Sequence, residues 1–137
     1  MADLFDKTML ALASSNKMRS LRQNVITANV ANAETPGYVA KKVDFEQALQ
    51  RAVDLEGFGK LAGTQAEHFP IGPGALAKVE ADVYDNPDGE TSNDGNTVNL
   101  EREMTSLAEN SIMYKAAIQL INKKMASLKY AASDGGK

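Results

Sequence analysis

The side chains best suited to chemistry are few, and their spacing argues against a reaction centre. His68 is the sole histidine, flanked by Glu67 and Phe69, and the chain has no cysteine. A metal site of the nitrogen and sulfur kind needs several such donors, so one chain cannot build it. The run from Glu90 to Glu101 places Gly95 sixth and Glu101 twelfth, as a calcium loop would. Its first position is Glu instead of Asp, and Asn86-Pro87-Asp88-Gly89 before it is a turn where that motif has a helix. A polar turn leading into a helix cap explains the run better. Asp82 with Asp85, or Glu101 with Glu103, could be imagined as paired carboxylates. Nothing around them suggests a cleft, and solvated acids are far commoner. Gly57, Gly59 and Gly63 lack the Lys-Ser/Thr ending and following helix of a phosphate loop. The reading is therefore non-enzymatic, with no cofactor and no metal.

Composition points the same way. The 137 residues suffice for one modest domain. Apolar residues make up 43%, yet only 6% are aromatic and there is no Trp. Ala, Leu, Val, Ile and Met suit long helical seams better than a deep core. The formal charge is −3. No dense basic run is present to release counterions from a phosphate backbone, which excludes nucleic acid as a partner. The longest apolar stretches fall far short of the roughly 20 residues that span a bilayer, so no direct membrane insertion is expected. Met1-Ala2-Asp3-Leu4-Phe5-Asp6 carries acid where a signal peptide carries base. On this ground alone the chain reads as cytoplasmic.

The elements that would position these residues form three segments. Residues 3–32 contain neither Gly nor Pro, with Asp3 as a candidate cap. Leu4, Ala11, Met18, Leu21, Val25 and Ala28 predict one helical face, and Phe5, Met9, Leu12, Ile26 and Val30 a weaker one. The last segment is the strongest signal. Leu100, Met104, Leu107, Ser111, Tyr114, Ile118, Ile121, Met125, Leu128 and Ala132 alternate in steps of four and three, a heptad row broken only at Ser111. Asn99 is a good N-cap, Glu101 and Glu103 favour the first turn, and Ser133-Asp134-Gly135-Gly136 stops the helix. At 1.5 Å per residue this is a rod roughly 45–50 Å long.

Between the helices, residues 35–96 hold all four prolines and eight of the ten glycines. A short helix is expected over Asp44–Leu55, an irregular stretch over Gly57–Gly74, a short strand within Leu76–Tyr84, and a mobile polar turn over Asp85–Asn96. Thr35-Pro36-Gly37-Tyr38 reads as a type II turn that ends the first helix. The expected fold is an all-α core. Residues 1–34 and 97–137 pack as a coiled-coil-like hairpin, the heptad row covering Met18, Leu21, Val25 and Ala28, with a loop-rich insert over 35–96. Met113, Ala117 and Leu120 on one helix, and Phe5, Leu12 and Ile26 on the other, form further apolar stripes. Two helices cannot bury four stripes, so neighbouring copies in a helical array are expected to cover the surplus.

The run Asn24 to Tyr38 resembles the N-terminal signature of the bacterial flagellar basal-body rod protein family. The matching positions are Asn29, Asn32, Ala33, Thr35, Pro36, Gly37 and Tyr38. The short length, Val43-Asp44-Phe45, and Asp94–Glu101 with Met104, Ala108-Glu109-Asn110 and Tyr114 resemble the proximal rod members. Val39 and Asn99 depart from residues common in the family without disturbing turn or cap. The resemblance implies a structural subunit that contacts other flagellar rod proteins and the rod-to-membrane-ring junction and self-associates helically. It also implies passage through the flagellar type III export apparatus without a cleaved signal peptide, and residence in the periplasmic rod of the basal body, which replaces the cytoplasmic reading. The Thr35–Tyr38 turn would carry the chain across an adjacent subunit with Tyr38 and Phe45 as anchors. A subunit of this kind is expected to be only partly folded as a free monomer. The alternative is a soluble coiled-coil adaptor or export chaperone that binds a single partner helix.

Overall fold

The computed structural model describes residues 7–57 and 74–134. The expectations on Asp3, on His68, on most of Gly57–Gly74 and on the Gly135-Gly136 stop lie outside them. In chain order the elements are α1 (Lys7–Ala31), β1 (Lys41–Asp44), α2 (Glu46–Gly57), a 3-10 turn (Leu76–Lys78), β2 (Asp82–Asp85) and α3 (Leu100–Asp134). The described chain is mostly helical. Its long terminal helices pack together, and a short loop-rich middle contains one small strand pair. That pair qualifies the all-α expectation.

α1 runs without a helix breaker until the Asn32–Pro36 segment. Asn32 closes it, its backbone N–H and its side-chain Nδ2 both donating to the Ala28 carbonyl, at 3.1 and 2.8 Å. At the other end of the middle segment, the Asn99 side chain accepts the Arg102 N–H at 3.1 Å and so caps α3 as expected. α1 and α3 run antiparallel: Asn110 donates to the Arg19 carbonyl at 2.9 Å, while Asn96, just before α3, donates to the Asn32 carbonyl at 2.9 Å just after α1. β1 and β2 pair antiparallel in the register Lys41↔Asp85 to Asp44↔Asp82.

The core does not sit where the heptad row placed it. Met18 and Val25 of α1 pack against Val43 and Phe45, not against α3. A second cluster joins Ala52 of α2 to Ala75, Leu76 and Val79, with Ala11 of α1 beside it. The middle segment thus buries Phe45, Leu76, Val43 and Ala40, among the least exposed side chains described. It covers the α1 face that α3 was expected to cover.

The heptad row is half inward. Leu107, Tyr114, Ile118, Ile121 and Leu128 are half-buried, whereas Leu100 and Met104 are each 51% exposed and Met125 is 44% exposed. A straight α-helix drifts about 20° per heptad from a 3.5-residue repeat, so a row this long begins on the flank of the packed face. The most buried α3 residues are Asn110 and Ala117, which the row omits. On α1, Leu21 and Ala28 are exposed, while Met9 and Ile26 of the nominally weaker stripe are buried.

The region after Leu76 differs in detail from the expected strand, being a 3-10 turn followed by β2. Asp85–Asn96, expected to be mobile, is tied down by hydrogen bonds from Asn86 N–H to the Ala40 carbonyl at 2.8 Å and from Ser92 N–H to the Asn96 carbonyl at 2.8 Å.

Candidate functional site: the helix junction and the uncovered flank of α3

Two asparagines knit the helix ends together. Asn29, on the last turns of α1, is fully buried. Its Nδ2 donates to the Lys41 carbonyl at 2.8 Å, and its Oδ1 accepts the Lys41 N–H at 3.0 Å and the Tyr38 hydroxyl at 3.2 Å. One amide side chain therefore pairs with both polar groups of a backbone residue, as a neighbouring strand would. Asn96 sits across from it. Its Nδ2 lies 2.8–3.0 Å from the carbonyls of Asn32, Ala33 and Thr35, capping the orphan acceptors at the end of α1. Its Oδ1 accepts the Val98 N–H at 2.7 Å. Asn96 thus ties the exit of α1 to the entry of α3.

The Thr35–Tyr38 turn forms as expected. Tyr38 N–H donates to the Thr35 carbonyl at 3.2 Å, and Gly37 takes φ +72°, the left-handed conformation the third turn position requires. Gly37 N–H donates to the Asp94 carbonyl at 2.9 Å, and Gly95, at φ +80°, lies against Gly37. The calcium-like sequence is therefore a receptor loop for this turn.

The third part is Arg22. Its guanidinium forks onto Glu46 at 2.6 and 2.7 Å, donates to the Val43 carbonyl at 2.7 Å and stacks 4.5 Å from the Phe45 ring centroid. Partial burial works to raise the Glu46 carboxyl. The Arg22 hydrogen bonds, the Phe45 and Glu46 N–H groups and the Arg22 charge outweigh it and hold it at about 2. Burial moves Glu103 the other way, upward, against a hydrogen bond from Asn29. The Tyr84 hydroxyl donates to Asp44, which pushes that phenol up to about 12. These titratable groups hold elements together. Among the described residues, no three His, Cys, Asp or Glu side chains converge on a metal position.

Of the residues predicted to form an interface, Asn29 and Phe45 lie inside the chain, Phe45 being 2% exposed. Asn32 and Tyr38 are half-buried, and Thr35, Pro36 and Gly37 are exposed. Leu107, Tyr114, Ile118, Ile121 and Leu128 are half-buried, and Leu100, Met104 and Met125 are exposed. The apolar row most open to solvent is Ile112 at 67%, Met113 at 55% and Leu120 at 54%, with exposed Ala116 between them. Met113 and Leu120 were legible as a second stripe. Ile112 was not, although its spacing of four to Ala116 and eight to Leu120 is a helical repeat. Asn96 and Asn110 stood out only as parts of the family resemblance and Arg22 not at all, because their partners lie tens of residues away.

Ile112 and Met113 also border a groove of about 910 Å³ between α3 and the β1–α2 corner, floored by Val25 and Ile26 of α1. No helix among the described residues is long and apolar enough to cross a membrane. Along α3 the arrangement presents exposed apolar side chains and charge.

Comparison with known proteins agrees with this geometry. Residues 9–38, which span most of α1 and the Thr35–Tyr38 turn, match the family described as Flagella basal body rod protein. The chain is 33% identical over 139 residues to the flagellar basal body rod protein FlgB of Proteus mirabilis (strain HI4320), covering 98% of this chain and all of that one. It is 36% identical over 128 residues to the protein of that name from Aeromonas hydrophila, covering 93% of this chain and 94% of that one. The FlgB of Cereibacter sphaeroides (strain ATCC 17029 / ATH 2.4.9) is 40% identical over 111 residues, 81% of this chain and 82% of that one. With its paired terminal helices, its Thr-Pro-Gly-Tyr turn and relatives matched along nearly their whole length, the chain belongs to the flagellar basal body rod protein FlgB family.

Proposed function

We propose that this chain is a non-enzymatic structural subunit of the proximal rod of the bacterial flagellar basal body, built into it by helical self-association and by contact with neighbouring rod proteins. The observation that carries this reading is the uncovered apolar row Ile112, Met113, Ala116 and Leu120 on a long helix whose opposite face is already packed on α1. A contiguous apolar row of this kind is a contact surface for another helix. Residues 1–34 and 97–137 act as the rod-core helices, packed in a coiled-coil-like hairpin, and residues 35–96 as the insert that fixes their ends. Thr35, Pro36 and Gly37 stay on the surface and Tyr38 half-emerges, which supports a role for the turn in subunit contact. Phe45, being interior, acts by holding Arg22 and β1 in place. The rod-to-membrane-ring junction, passage through the flagellar type III export apparatus and export without a cleaved signal peptide belong to the same proposal.

The test is co-purification from flagellated cells, pulling on a tag inserted between Gly57 and Gly74, for wild type and Ile112→Asp. Wild type is expected to recover rod and membrane-ring proteins and the variant to lose them, because Ile112 is exposed and its replacement leaves the fold intact. Recovery of a single soluble partner without basal-body components would overturn the reading in favour of an adaptor.

A further inference from the structure

The charges of this chain are segregated along its length. Over the described residues 7–18 of α1 and 110–133 of α3 there is no Asp or Glu, while Lys17, Lys115, Lys123 and Lys129 stand exposed. Because α1 and α3 are antiparallel, with Asn110 bonded to Arg19, the first half of the α3 stretch lies beside the α1 stretch and the rest runs on past Lys7, the two together forming one basic arm. The remainder, residues 19–54 and 74–109, carries thirteen Asp and Glu against seven Lys and Arg. Several of those bases are neutralised inside the chain, Arg22 on Glu46 and Asp44, Lys41 on Asp85 and Lys42 on Asp88. Of the six arm lysines, Lys17, Lys115, Lys123 and Lys129 have no ion-pair partner among the described residues, while Lys7 and Lys124 each make an interaction of their own.

Each end also bears apolar surface. Leu120, Met125 and Tyr130 are exposed on the arm, and Leu100 and Met104 on the acidic body, flanking exposed Glu101. A helix with an acidic apolar start and a basic apolar finish is complementary to a second copy placed head to tail or antiparallel beside it, and only the head-to-tail contact extends into the helical array that the rod reading requires. Side by side in the same orientation, like charges would face each other. Complementary potentials of this kind select the partner and its register.

Resting on the rod reading above, we infer that the basic arm of one copy docks against the acidic start of α3 in the next copy, the exposed face around Leu100, Glu101 and Met104. Such a contact is heterologous, so it gives the assembly a polarity and leaves one basic and one acidic face unfilled at its ends.

The experiment is charge-swap complementation on the full chain. One variant reverses the arm (Lys115→Glu, Lys123→Glu, Lys129→Glu), a second reverses the body (Glu90→Lys, Glu101→Lys, Glu109→Lys), and a third replaces the arm lysines by Gln. Circular dichroism checks that helical content is retained, and light scattering reads association. The wild-type association constant should fall at least about tenfold between about 50 mM and about 500 mM salt, as the screening length shortens. Each reversed variant alone should fail to associate, and an equimolar mixture of the two should recover, since each then offers the other an opposite charge. The Gln variant should weaken association without that rescue. Association that ignores salt or arm reversal, or no association by the wild type at low salt, overturns the proposal. So does an arm reversal that abolishes only binding to vesicles containing anionic lipid, which would assign the arm to a membrane surface. If the arm-reversed chain still co-purifies with rod proteins from cells, the head-to-tail contact falls while the rod reading stands. If wild type recovers no basal-body component, the rod reading itself falls.

Discussion

Asn29 joins three segments through a single amide, and its burial makes that arrangement costly to disturb. Replacing it with Ala would leave the Lys41 N–H and carbonyl without their partner in a site closed to water. The expected loss is about 2–4 kcal/mol, more than an ordinary hydrogen bond, because desolvated groups would go unpaired. It should appear as a lower urea midpoint with an unchanged m-value. A residue-scale prediction on pH follows from Glu46. Its carboxyl titrates at about 2 in the folded chain against an ordinary 4.5. The folded state therefore favours the ionised form, and its contribution is complete above about pH 4.5 and fades as pH falls toward 2. With the side chain 53% exposed, solvent screening limits it to about 1 kcal/mol. Glu46→Gln should flatten the acid limb of stability measured from pH 6 to 2. Glu103 is displaced upward, so protonation favours the folded chain, and Glu103→Gln should steepen the same limb.

At the scale of elements, what could be read in advance was what is locally determined. The Asn99 cap, the end of α1 before Pro36 and the Gly37 turn each depend on residues within one or two turns, and each forms as their chemistry requires. The phase of α3 was less legible. A 4-3 spacing identifies a helix and its amphipathic side but does not fix which flank faces α1, because that depends on a partner across space. Ala117, read in the sequence as part of an outward stripe, is buried, and so is Asn110, which stands out in no hydrophobic pattern. The interior position of Phe45 was hidden for the same reason, since Arg19 and Arg22 reach it from another element. This contrast makes a paired prediction. Ala117→Phe should destabilise the chain by about 1–3 kcal/mol, because the helices must part to admit the ring. Leu120→Ser, three residues on but 54% exposed, should change stability by no more than about 0.5 kcal/mol and yet lower incorporation into basal bodies. Chemical denaturation and co-purification would separate the two effects.

At the scale of the whole molecule, burial among the described residues is sparse. Burial is concentrated in two small clusters beside α1, and along α3 only Asn110 and Ala117 are buried among the described residues. A 35-residue helix held on one narrow face must recover the entropy of ordering from few contacts. The segments far from the clusters, the C-terminal turns of α3 above all, should therefore open at low free energy while the Asn29–Arg22 junction persists. In dilute solution the chain should melt broadly, with less helix than the folded arrangement contains. Because association stabilises whatever state it selects, helical content and melting midpoint should both rise with protein concentration. Circular dichroism melts over a hundredfold dilution series would measure this. A sharp transition whose midpoint ignores concentration would mean that the isolated chain is already a complete folding unit. The uncovered row on α3 would then serve recognition alone and would contribute nothing to folding.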